Sequence, residues 1–168
     1  DGKIKLIQKP VLITFDDGYR DFYTDVFPIL KKNNIKVTVY IVSGFLDQPN
    51  YMFTWQLKQI ARSGLVEIGA HTVRHYALKG LNHALVKYEV EESKKTLEEI
   101  IGSPVVSFAY PDGSFDNETI KIVTASGSRS AVTTEYGFKT SQVNKYSIHR
   151  LHPGDKIGNY LINFLEQK

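Results

Sequence analysis

Two carboxylates, Asp16 and Asp17, stand side by side where the apolar run of "VLITFDDGYRDF" (residues 11–22) ends. Adjacent like charges repel unless a cation lies close. Further along, "HTVRH" (71–75) carries His71 and His75 four residues apart. If this segment is a helical turn, both imidazoles lie on one face and can share a metal ion. Two histidines and one carboxylate leave coordination positions open, which suits a hydrolytic rather than a structural metal. A dication bound by one Asp offsets the repulsion and leaves the other carboxylate to accept a proton. The plainer alternative is an Asp-Gly turn closing a strand.

Short β-branched runs alternate with longer amphipathic stretches, and these are the elements that must position such groups. Strands are expected at 10–15 (a buried one), 36–42, 65–71, 104–110, 128–134 and 146–151. Helices are expected at 23–35, at 54–64 with Thr54 as N-cap, and at 82–102 between Asn82 as cap and Gly102 as stop. Two more follow at 116–127 and 157–166. This repetition predicts parallel strands with crossover helices, an α/β sheet or barrel, in one domain over 1–168. In such folds reactive groups collect at the C-terminal ends of strands. Three strands end that way: one in Asp16 and Asp17, one in His71 with His75 soon after, and one in Tyr110 and Asp112.

Composition narrows the function classes. The 168 residues are 42% hydrophobic and 23% charged, ordinary for a globular protein, and suffice for a sizeable core. A net charge of +3 with no Lys/Arg cluster argues against nucleic acid as partner. The absence of cysteine excludes disulfides, thiolate metal sites and Cys nucleophiles. No apolar run approaches the roughly 18 residues of a membrane span. The chain opens on "DGKIKL" with neither Met nor signal peptide, as expected of a processed protein. Ten Tyr, nine Phe and one Trp suit core filling first and sugar stacking second.

"TFDDG", then "EIGAHTVRH", then "FAYPDGSFDNETI" resemble the polysaccharide deacetylase family, the nodulation-deacetylase homology domain, along about residues 10–133. The resemblance implies a distorted, incomplete (β/α) barrel that removes N- or O-acetyl groups from sugars with a divalent metal, usually zinc. It implies Asp16 as general base and Asp17, His71 and His75 as metal ligands. The family places a backbone N–H for the tetrahedral oxyanion just after the Pro of its third motif. That position is Asp112 here, where an aromatic residue is usual. Tyr110 is either a substrate contact or a core or groove aromatic.

Several positions depart from the family pattern. Many members carry an Arg two residues before that Pro to orient the base. This chain has Ala109, like the branch reading "FAYP", and that branch tends to show an Arg where Arg150 lies. The later Asp-and-Trp motif is not recognisable in 128–145. The family's general acid is a His on the last strand, and the nearest text, "SIHRLHP" (147–153), offers His149 and His152. Spaced by three, they cannot share a face of a regular strand. His152, nearer the strand's C-terminal end, is the candidate. His83, near a helix N-cap, reads as solvated surface, and Trp55 as packing rather than a sugar platform.

The implied activity is metal-dependent deacetylation of an N-acetylglucosamine-containing polysaccharide: peptidoglycan, exopolysaccharide or a chitin-like chain. An O-acetyl xylan esterase would use the same chemistry. A reading from another class is a catalytically silent carbohydrate-binding domain that kept the metal site. Asp16 argues against it, because a binding module has no use for a base beside the metal. The resemblance also implies a site of action in the cell envelope or outside the cell.

Overall fold

The apolar runs become six parallel strands of one sheet in the computed structural model, which describes residues 10–137, 145–154 and 156–166. They are β1 (Ile13–Phe15), β2 (Val37–Ile41), β3 (Val66–Ala70), β4 (Ser107–Ala109), β5 (Ser130–Tyr136) and β6 (Ile148–Arg150). Their order in the sheet is their order in the chain. Four crossovers carry helices, as parallel neighbours require: α1 (Phe27–Asn33), α2 (Thr54–Ala61), α3 (His83–Ile101) and α4 (Asn117–Ala125). A last helix, α5 (Gly158–Glu166), follows β6. Part of the connection from β5 to β6, where the Asp-and-Trp motif was sought, lies outside the described residues.

The periodicities explain the packing. Every residue of β2 is buried, as a strand covered on both faces must be. Val39, Ile41, Ile68 and Phe108 join Leu57, Ile60, Val90 and Leu97 of the helices in the main core. The alternate residues Tyr40, Ala109 and Val132, with Ile148, form a small cluster on the other, inner face.

The sheet curls around that inner face. Laid flat, six strands would set β1 and β6 about 24 Å apart. Instead the Arg150 guanidinium of β6 donates to the Thr14 hydroxyl of β1 at 3.1 Å and to the Asp16 carboxylate just beyond β1 at 2.7 and 2.6 Å. The result is the distorted, incomplete (β/α) barrel that the motifs imply. Among the described residues, no helix is long and apolar enough to cross a membrane.

Local signals set several boundaries. Asn82 caps α3 by accepting from the Leu85 N–H at 2.9 Å, and Gly102 closes it in a left-handed conformation. Three expectations need correction. The first strand is not buried: Leu12 and Ile13 are 72% and 40% exposed, because β1 is an edge that pairs with β2 alone among the described strands. Thr54 is the first residue of α2 rather than its cap. Its N–H and hydroxyl donate to Asp47 at 2.9 and 2.6 Å, while the Phe53 N–H donates to Gln56 at 2.8 Å. The helix expected over 23–35 begins as a π turn, Phe22–Val26, before α1. Pro28 at the start of α1 lacks the N–H that would continue a regular ladder.

Gly69 of β3 lies opposite Tyr40 of β2 in register. A Cβ at Gly69 would fall 2.3 Å from the Tyr40 ring and 2.8 Å from the Ser107 hydroxyl. Gly69→Ala is therefore expected to destabilise the fold by about 1–3 kcal/mol through overpacking. A thermal melt of the variant checks this, and an unchanged Tm would contradict the tight inner packing.

Candidate active site

The loops after β1, β3 and β4 converge at one end of the barrel. Asp17 follows β1 with φ of +72°, and Gly18 follows with φ of +84°. The positive φ favours glycine at Gly18, where an added Cβ would also press on the tip of the Ile41 side chain at 2.9 Å. This turn sends the two neighbouring carboxylates to different partners. Asp17 Oδ1 lies 3.5 Å from His71 Nε2 and 3.3 Å from His75 Nε2. Asp16 turns to Arg150.

The histidine segment is not the helical turn that would place an i, i+4 pair on one face. Thr72 and His75 have φ of +66° and +59°, so the chain coils in the left-handed region. Buried Glu89 of α3 holds this shape. Its carboxylate accepts the N–H groups of Val73 and Arg74, both at 2.9 Å, and the Arg74 Nε–H at 2.7 Å. The Thr72 hydroxyl accepts the His75 N–H at 2.9 Å. Glu89 escaped the sequence reading. Its signal was an acid within the buried stripe Val86, Val90, Ser93 and Leu97 of α3.

A metal fits this donor set. His71 Nδ1 lies 2.8 Å from the Ala109 carbonyl. A carbonyl only accepts, so Nδ1 carries the proton and Nε2 turns its lone pair towards Asp17. A lone pair facing a carboxylate calls for a cation between them. Donor atoms about 2.1 Å from a tetrahedral centre are about 3.4 Å apart, and both Asp17 separations are of that size. All three donor atoms lie within 4.8 Å of one another. With no cation between them and both histidines protonated, the hydrogen bond from His71 holds the Asp17 carboxyl below its usual range against the effect of burial, helped by the charges of His71, His75 and Arg150. Asp17 and His75 are 28% and 29% exposed, so the cluster opens to solvent.

Arg150 supplies the cation that Asp16 needs. Its fork meets both carboxylate oxygens, its Nε–H donates to the Thr133 carbonyl at 3.0 Å, and it sits 5.9 Å from the Tyr40 ring centroid. Burial disfavours the guanidinium charge, but the hydrogen bonds and charge of Asp16 outweigh it and raise the Arg150 pKa. Ala109, at the position where the motif resemblance implies an orienting Arg in many members, packs with Tyr40 and Val132.

An open Asp-His-His cluster that could hold a metal lies beside an arginine-held carboxylate on an incomplete barrel, a set of groups suited to acyl-bond hydrolysis. The sequence profile described as polysaccharide deacetylase matches residues 3–131. The chain belongs to the polysaccharide deacetylase family. It is 33% identical over 159 residues to a Bacillus subtilis protein named as a polysaccharide deacetylase, YxkH, with 92% of this chain and 57% of the relative covered. It is 26% identical over 173 residues to the poly-β-1,6-N-acetyl-D-glucosamine N-deacetylase of Staphylococcus aureus strain MRSA252, covering 95% and 60%. The Streptococcus pyogenes deacetylase PplD, solved in complex with acetate, superposes with a TM-score of 0.84 at 27% identity, covering 89% of this chain and 67% of that one. The chain spans less than two thirds of the length of the two curated relatives.

The remaining candidates of this deacetylase-family chain separate clearly. Of the two readings of Tyr110, its burial favours the core aromatic over the substrate contact. Tyr110 is fully buried, donates its hydroxyl to the Tyr146 carbonyl at 3.0 Å and stacks on Phe115, because its ring completes the core behind β4. Asp112 is exposed in a turn with φ of +54°, its carbonyl accepting from the Thr134 hydroxyl at 3.2 Å. His149 points away from Arg150 by strand alternation and pairs with Glu135 at 2.7 Å. His152 lies past the end of β6, with Nε2 3.2 Å from the Thr134 carbonyl. His83 pairs with Glu118 on the surface, and Trp55, 57% exposed, packs edge-on against Tyr23.

His71→Ala or His75→Ala is expected to remove stoichiometric zinc uptake, measured by metal analysis after dialysis. Full occupancy in both variants would show that the cluster is not the metal site. Glu89→Gln keeps the volume but turns an amide N–H₂ towards N–H donors. It should weaken zinc affinity by about 10–100-fold, the usual effect of losing an outer partner, read by competition with a chromophoric chelator.

Proposed function

We propose that this protein is a zinc-dependent deacetylase of an N-acetylglucosamine polymer acting in the cell envelope or outside the cell. The observation that carries the reading is the division of labour between adjacent carboxylates. Asp17 joins two histidines at an open cluster, while Asp16 is held by Arg150 beside it. A binding module would need the first arrangement but not the second. The Staphylococcus aureus relative, named for poly-β-1,6-N-acetyl-D-glucosamine, supports a β-linked N-acetylglucosamine exopolysaccharide as the substrate class.

The residues then divide the reaction as follows. Asp17, His71 and His75 would hold the zinc, which would supply polarisation of the acetyl carbonyl and a water whose pKa is lowered to about 7. Asp16 accepts the proton of the attacking water. Arg150 uses one lone pair on each Asp16 oxygen, so the carboxylate is oriented and still has lone pairs free. The Asp112 N–H donates to the developing oxyanion, a role that needs the backbone and not the side chain. His152 gives a proton to the leaving amine as the C–N bond breaks, leaving acetate and a free amino sugar. Its place supports this assignment: its ring lies against Thr134, whose hydroxyl reaches the Asp112 carbonyl.

Acetate release from β-linked N-acetylglucosamine oligomers, assayed with zinc, with chelator and after zinc is restored, tests the reading. Release that chelator stops and zinc restores is expected. Oligomer binding without release by zinc-loaded protein would instead identify a silent binding domain. Asp16→Asn should keep zinc and lower turnover by about 10²–10⁴-fold. Near-normal turnover in that variant would move the base elsewhere. His152→Ala should lower turnover with zinc retained, and unchanged turnover would exclude it as the acid.

A further inference from the structure

Next to Asp17 the chain builds a feature that the chemistry above does not use. Tyr19 follows Gly18 and forms an isolated antiparallel bridge with Tyr51. Their rings stack at 5.0 Å between centroids with planes 18° apart. Phe45 lies behind Tyr51 at 4.8 Å, so the pair is backed on one side. Tyr19 is 44% exposed although its neighbours are anchored. The Arg20 N–H donates to the Asn50 carbonyl at 2.8 Å, and the Met52 N–H to the Gly18 carbonyl at 3.0 Å. The Arg20 Nε–H also donates to the Tyr51 carbonyl at 3.0 Å, and Met52 beneath is fully buried. Burial raises the Tyr51 phenol above its ordinary value, and Tyr19 and the charge of Asp17 push it the same way.

The backbone bridge and the Met52 anchor hold the loop through main-chain contacts that do not involve the Tyr19 ring. A stacked, backed and rigid ring pair is a preformed surface for the C–H face of a pyranose, whose hydroxyls stay in water. Tyrosine presents such a face at little conformational cost, and the pinned loop lowers the ordering penalty further.

We infer that Tyr19, backed by Tyr51, forms a sugar subsite for the residue adjoining the one deacetylated, so that the protein prefers an oligomer to a single N-acetylglucosamine. The inference deepens the deacetylase reading and rests on it for the location of the reacting sugar. The test compares zinc-loaded wild type, Tyr19→Ala, Tyr19→Phe and Tyr51→Ala, each checked by thermal melting. Two quantities are measured: the dissociation constant for a β-linked N-acetylglucosamine pentamer by calorimetry, and kcat/KM on pentamer and on monomer.

Tyr19→Ala should weaken pentamer binding and reduce the pentamer-to-monomer ratio of kcat/KM by about fivefold, the scale of one aromatic contact. Tyr19→Phe should restore both, and Tyr51→Ala should move them in the same direction as Tyr19→Ala. A Tyr19→Ala protein that binds and prefers pentamer like wild type overturns the subsite and leaves the deacetylase reading intact. Wild type that binds pentamer through Tyr19 but releases no acetate keeps the subsite and overturns that reading. Wild type that neither binds nor deacetylates the pentamer overturns both.

Discussion

The ion pair between Arg150 and Asp16 is the contact on which the rest of this structure turns. It joins the last strand of the sheet to the end of the first, and so closes the inner face of an open barrel. The charges are mostly withdrawn from water, with side chains 13% and 29% exposed. Desolvation of this kind is offset only when the geometry is good and the remaining donors are used. Both conditions hold: the fork is bidentate on Asp16, and further N–H groups reach Thr14 and Thr133. The small residues around it serve the same end. Gly69 makes room for Tyr40, and the Tyr40 ring lies beneath the guanidinium.

That closure makes the two neighbouring carboxylates unequal. Asp16 is held by a fixed cation, and Asp17, turned away by its left-handed backbone, joins the histidines. Positive φ at Asp17, Thr72 and His75 marks the two loops that carry the cluster. Such conformations persist where surrounding contacts over-determine them. Glu89 does this for the histidine loop, and the Ala109 carbonyl fixes the tautomer of His71. The site is thus set in a frame of backbone hydrogen bonds rather than in the cluster residues alone.

The aromatic residues divide by depth. Tyr110, Phe108 and Phe115 fill the space behind β4, whereas Tyr19, Tyr51 and Trp55 lie along the rim. An abundance of tyrosine alone does not say which is which. Tyr110 sits at a strand end beside the third motif and is nonetheless core, because β4 is flanked on both sides and its loop turns back over the ring.

Much of this was legible in the residues. Alternating apolar runs and caps such as Asn82 and Gly102 fixed the elements to within a few residues, since these signals act over one turn or one strand. Asp16, Asp17, His71 and His75 stood out as a set because strand ends in a parallel α/β fold point the same way. The buried acid on α3 and the arginine that faces Asp16 belong to another level. Glu89 meets Arg74 across 15 positions, and Arg150 meets Asp16 across 134. Neither distance is written in any local pattern, and both follow from how far the sheet curls. The sequence by itself determined which groups could do chemistry and which strand ends would carry them. Only the tertiary structure decided which cation faces which carboxylate, because that depends on bringing the sixth strand back to the first.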